Sequence, residues 1–186
     1  MPSLIDNPPD KPMLRRLAVL ASMSALPMFA QAQATNPNVA NARILWTQVN
    51  GYIAQSAADV PEALYAYKPT PEVRSFGELL GHIAGSEKMF CAVALGEKQP
   101  AEDAVEKAAK TKAALIAALK DAATYCARAY NQTDKATEPL VDIFGEKRSR
   151  VFVLLENVTH DNEHYGNIVT YMRLNKMVPP SSKPSK

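Results

Sequence analysis

The sequence predicts an all-α protein built on four long helices, and three observations predict it. Ala is plentiful while Gly is limited to 7 residues in 186. Most of the 14 Pro fall in the two tails and one loop, which leaves the middle of the chain free for long helices. Between those breaks, four stretches repeat apolar residues at three- and four-residue intervals. A chain of this length is one domain with room for a real core. Its balance is globular, with 47% hydrophobic and 22% charged residues and a formal charge of +2. No face-sized cluster of Lys and Arg occurs, so nothing electrostatic calls for nucleic acid.

The first helix is expected from Asn36-Pro37, a cap residue followed by Pro at the first helical position, to near Val60-Pro61. Pro69 and Pro71 then force an extended connection. The second helix opens on a capping box, Ser75 with Glu78, and runs to about Leu95, where Gly96 stops it. Residues 97–110 are charged and Ala-rich, either a short helix or the ragged start of the third. The third helix is firm from about Thr111 to Tyr130, with Leu115, Leu119, Ala122, Cys126 and Ala129 on one stripe. Polar residues 131–150, with Pro139 and a Phe144-Gly145 turn, read as a loop. The fourth helix starts near Ser149 or Arg150 and continues to about Asn175, before a disordered tail at residues 179–186.

Two of the three histidines in the chain lie on that last helix. His160 and His164 are four apart, about 40° around the axis, so they point the same way one turn apart. His82 falls on the inward face of the second helix with Leu79, Ser86, Met89 and Val93. The inward stripe of the fourth helix is Val153, Asn157, His160, His164, Asn167 and Tyr171. Burying unpaired polar groups costs kilocalories each, so something must satisfy that stripe. The reading that does so is one metal ion gripped by His82, His160 and His164, with Asn157, Asn167 and Tyr171 as outer contacts. Glu78, Glu156 and Glu163 flank the face and could supply a carboxylate ligand or a general base, although capping or solvation accounts for each singly. The pattern lacks the Glu that follows the first His in zinc proteases, since Asp161 and Asn162 stand there, and zinc proteolysis of that type is disfavoured.

The N-terminus reads separately. Lys11, Arg15 and Arg16 precede the apolar run Leu17 to Ala30, which ends in the small-residue pattern Ala30-Gln31-Ala32. This is a secretory signal spanning residues 1–34, with an uncleaved anchor as the alternative. Residues 1–12 are unlike the start of such a signal, which makes Met13 the alternative start. The Arg15-Arg16 pair leaves a twin-arginine route open. Removing residues 1–32 takes three basic and two acidic side chains and leaves a formal charge of +1. Export to the periplasm or cell exterior permits a disulfide between Cys91 and Cys126. Spacing alone leaves both the bonded and the free forms open. Cys91 lies about 180° around its helix from His82 and is a poor metal ligand.

The segments His160–Leu174 followed by Val178-Pro179-Pro180, Pro69–Ala84, and Tyr125-Cys126 resemble the DinB-like family, the DinB/YfiT-like metalloenzyme superfamily. The resemblance covers roughly residues 40 to 180, and the order of the three histidines matches. It implies a four-helix bundle over residues 35–178 with a long crossover between the second and third helices. It also implies a divalent metal ion, zinc or nickel, on His82, His160 and His164. Relatives in the wider superfamily include metal-dependent transferases and isomerases that use low-molecular-weight thiols. The export signal departs from that pattern, because such thiols are scarce outside the membrane.

Two functional readings follow. One is an exported metal-dependent enzyme, a hydrolase or transferase, whose three-histidine shell keeps a position open for water or substrate. The other is a non-enzymatic metal-binding or stress-related protein whose ion is structural. The expected partners are a small-molecule substrate and a second copy in a homodimer, with no nucleic acid and no membrane after signal cleavage.

Overall fold

Residues 35–184 are described by a computed structural model. The expected signal peptide and the alternative start at Met13 lie outside the described residues. The first helix, α1, is Pro37–Asp59. Asn36 precedes it but makes no side-chain cap. Instead the Asp134 carboxylate accepts the backbone N–H groups of Asn38 and Val39 at 3.1 and 2.9 Å, and Asn36 Oδ1 accepts the Asp134 N–H at 2.8 Å. The cap is thus supplied from a distant loop, where an anion meets the positive end of the helix.

Helix α2 is Phe76–Leu95, opened by both halves of the Ser75–Glu78 capping box and closed by Gly96 at φ 75°. A left-handed residue ends a helix at low cost when it is glycine. The charged segment forms a short helix, α3, Ala104–Ala108. Helix α4 is Lys112–Ala129, capped by Thr111, and α5 is Arg150–Leu174, capped by Ser149.

Helices α2 and α4 run parallel. A Cβ on Gly77, at the start of α2, would touch Leu115 near the start of α4, and Cys91 is bonded to Cys126 near their far ends. Two parallel neighbours need a connection that returns the full length of the first. The crossover 96–111 does this by lying directly on the α2 backbone. A Cβ at Gly85 would collide with the Glu102 carbonyl oxygen, and one at Gly81 would sit 2.8 Å from the Glu106 Cα. Helix α5 packs on both α1 and α2, which completes the bundle.

Residues 131–150 correct the expected loop. Leu140–Ile143 (β1) pairs antiparallel with Glu146–Ser149 (β2). The two-residue connection has both residues at positive φ, Phe144 at 50° and Gly145 at 80°, the twist that suits a hairpin. Only Ile143 is buried among these strand residues, so no apolar alternation announces them. The expected disordered tail is also corrected for its described part. Pro180–Ser182 forms a 3₁₀ turn with Pro180 buried. Tyr165 Oη donates to Ser181 Oγ and accepts the Ser181 N–H, at 2.8 and 3.0 Å.

The core divides in two. One apolar cluster gathers Ile53, Phe76, Leu80, Ile83, Leu115 and Ile168. The other gathers Trp46, Phe90, Tyr130, Leu154 and the Cys91–Cys126 pair. Glu87 on α2 and His160, Asp161 and His164 on α5 lie between the stretches that feed these clusters, while His82 and Asn157 fall within them.

The disulfide closes a sequence separation of 35 residues, for which loop-closure entropy is worth about 3–4 kcal/mol. The Cys91→Ala/Cys126→Ala variant is expected to lose about that much stability in urea denaturation. An unchanged midpoint would show that packing of α2 on α4 suffices alone.

Candidate metal centre

The capping box fixes where α2 begins, and with it the inward direction of His82, whose exposure is only 6%. Helix α5 presents His160 and His164 one turn apart against it. The His82 Nε2 atom lies 3.1 Å from His160 Nε2 and 3.0 Å from His164 Nε2, and the latter two are 3.1 Å apart. Nitrogens bound to one ion at about 2.0–2.1 Å lie about 2.9 Å apart at right angles and about 3.4 Å apart at tetrahedral angles. The observed triangle falls inside that window.

Hydrogen bonds cannot account for the triangle. A neutral imidazole carries one N–H and can aim it at one neighbour, whereas here each Nε2 faces two others. Burial, the largest cause in each case, depresses all three basicities. His82 is pushed down to about 3, also by Arg74 and by the other two rings, and His164 to about 4. His160 is lowered by burial against the opposing pull of Glu102, Glu163 and Glu156. Three neutral rings with converging lone pairs are what a cation needs.

Binding through Nε2 puts the remaining proton on Nδ1, and a carboxylate oxygen lies near two of the three Nδ1 atoms. Glu102 Oε1 lies 3.5 Å from His82 Nδ1 and accepts the Ser86 hydroxyl at 2.9 Å. At His164 the neighbour of Nδ1 is the Asn167 Nδ2 amide group, a donor, at 3.5 Å. His160 Nδ1 is buried without a hydrogen bond, with Asp161 Oδ1 at 3.7 Å. Such outer partners hold a ligating ring in its tautomer.

The structure thus brings together His82, His160, His164 and Asn167, and separates the other residues proposed from sequence. Asn157 donates to Tyr130 Oη at 3.0 Å, away from the rings. Tyr171 donates to the Arg74 carbonyl at 2.8 Å. Glu78 is spent on its cap and on Lys68 at 3.0 Å. Glu163 is exposed and Glu156 half-buried; both act on His160 through their charge. Cys91 is in the disulfide.

Sequence reasoning missed Glu102 and Asp161 as ring partners, and Arg74. Asp161 sits inside the histidine motif, but its direction is set by packing. Glu102 comes from a charged segment with no periodic signal. Also missed was Glu87, which is fully buried and accepts Trp46 Nε1 at 2.8 Å and Asn50 Nδ2 at 2.7 Å. Burial and the nearby Asp161 raise its carboxyl well above the usual range, and burial does the same to Asp161.

Fold and site together define a four-helix bundle with a three-histidine group, shared by two helices, that could hold a metal ion. The family model of the DinB superfamily matches residues 45–168, and the chain belongs to that superfamily. A solved DinB-like protein from Bacillus cereus is similar in fold, with a TM-score of 0.64 at 18% identity over 73% of this chain and 91% of that one. No curated protein matches the chain.

Two outcomes are expected. Removing the carboxylate in Glu102→Ala should weaken zinc binding about tenfold or more in chelator competition; equal affinity would make Glu102 a solvated charge. Burial raises the Glu87 carboxyl above its unfolded value, so its contribution is complete below about pH 4, the unfolded range, and fades as pH rises toward its folded value. Glu87→Gln should therefore gain stability over the wild type progressively from pH 4 to pH 8 in urea denaturation. Parallel pH curves would refute this.

Proposed function

We propose that the protein is an exported metal-dependent enzyme, a hydrolase or transferase acting on a small molecule. Zinc and nickel both suit imidazole donors, and His82, His160 and His164 would hold the ion. The observation that carries the reading is the triangle of neutral Nε2 atoms. Among the described residues no fourth His, Cys, Asp or Glu joins that group, which favours an open site over a closed structural one. A cleft of about 550 Å³ beside His164 gives a ligand room to approach. When bound, a divalent ion supplies Lewis acidity and lowers the pKa of water or of a substrate donor atom.

The chain's own residues do the rest. Glu102 holds the His82 ring in the ligating tautomer, and burial keeps all three rings neutral. Export is supported by the basic and apolar N-terminal segment and by the Cys91–Cys126 disulfide, a bond that persists in oxidising compartments.

A structural ion is the second reading, favoured by the way the three rings tie α2 to α5 between two apolar clusters. Chelation would then lower the melting temperature substantially, with no turnover on a broad substrate panel.

The test is His160→Ala. Metal content after purification without a His-tag should fall from one equivalent to background, and any turnover found should vanish with it. Activity retained without metal would overturn the proposal.

A further inference from the structure

The cleft beside His164 has two walls. One is the face of α5 carrying His164, Asn167 and Tyr171; the other is the Pro69–Arg74 connection. The walls are pinned together, because Tyr171 donates to the Arg74 carbonyl at 2.8 Å and meets Tyr67 edge-on at 6.1 Å between ring centres. Among the described residues, Arg74 is the sole cationic side chain lining the cleft. Its Nε is held by both oxygens of Glu106, at 3.1 and 3.2 Å. Glu106 in turn is fixed by the close seat of the crossover on Gly81.

That clamp occupies one edge of the guanidinium. Among the described residues the two terminal amino groups make no hydrogen bond, and the side chain is 43% exposed. A guanidinium held by Nε presents its remaining N–H groups as a preset fork, the geometry that matches two oxygens of one anion. The other charged lining residue, Glu72, is exposed to solvent.

We propose that this cleft binds a small molecule bearing an oxyanion, a carboxylate or a phosphate group, on the free amino groups of Arg74, with the reacting end of the molecule directed at the three histidines. The proposal rests on the metal-centre reading above and narrows its substrate class. Arg74 is a specificity residue in this scheme: it selects one end of the ligand and leaves the chemistry to the other.

Three matched probes test it on the zinc-loaded mature chain by calorimetry: succinic monohydroxamate, its phosphonate counterpart and its uncharged primary amide. Each offers the same hydroxamate to the ion and differs only at the distal group. The wild type should bind at least one anionic probe about tenfold or more tightly than the amide, the size of a charge-assisted contact. The stronger of the two anions then names the carboxylate or the phosphate class. Arg74→Gln should erase the preference while leaving zinc content and amide binding unchanged. Arg74→Lys keeps the charge without the fork; it should retain only part of the preference, and it serves if the glutamine variant does not fold. Equal binding of all three probes by the wild type would overturn the proposal, as would a preference that survives in Arg74→Gln. Zinc-loaded protein that binds no probe would overturn it too. A wild type that takes up no zinc would instead refute the metal-centre reading on which it rests.

Discussion

Three imidazole nitrogens held within 3.1 Å of one another set the terms on which α2 can pack against α5. The rings must be neutral, which burial secures, and they must converge across a helix interface, which requires a fixed register between the two helices. Apolar packing is the means available, because it is non-directional and can be placed on either side of a polar layer. The core accordingly splits into two clusters, with Leu80, Ile83 and Ile168 in one and Phe90 and Leu154 in the other. Buried polar groups without partners weaken a fold, and here most of them lie near the rings, at Asp161, the second oxygen of Glu87 and His160 Nδ1, with Arg150 Nε and Asn157 Oδ1 nearer the start of α5. The stability given up there is consistent with a layer kept for what it binds.

The crossover links this layer to the surface. By lying on Gly81 and Gly85 it reaches α2 more closely than any side chain would allow. Two carboxylates arrive with it. Glu102 meets His82 and Ser86, while Glu106 clamps Arg74. One short segment therefore governs both the orientation of a ring and the charge at the mouth of the cleft. The glycines are needed for contact, because backbone lies where a Cβ would be. Their φ values are ordinary helical ones, unlike those of Gly96 and Gly145.

Membership of the DinB superfamily accounts for the bundle and for the order of the three histidines, and leaves the reaction to be read from the site. The disulfide joins two parallel helices at the ends opposite the contact of Gly77 with Leu115. It fastens the helix pair where the crossover starts out, so that the returning segment begins from a fixed point. A protein proposed to work outside the cytosol gains from such a bond, since the compartment keeps it closed.

Much of this was legible in the residues. The ends of α2, α4 and α5 were marked by Ser75 with Glu78, by Thr111 and by Ser149, because a cap is a local contact between residues three apart. His160 and His164 were paired by helical geometry alone, and the inward face of the second helix supplied His82. The hairpin at Leu140–Ser149 was not legible, because one buried residue leaves no alternation to read. The cap on α1 was misassigned, since Asp134 reaches it from 95 and 96 residues away. The sequence by itself determined the helices, the caps of α2, α4 and α5 and the three candidate histidines, all consequences of spacing along one helix or of a family pattern. Tertiary structure alone decided that the three Nε2 atoms meet, that Cys91 faces Cys126, that Glu102 reaches His82, and that Glu106 clamps Arg74 beside the cleft. Those depend on how separate elements approach, and no local spacing encodes the distance between two helices.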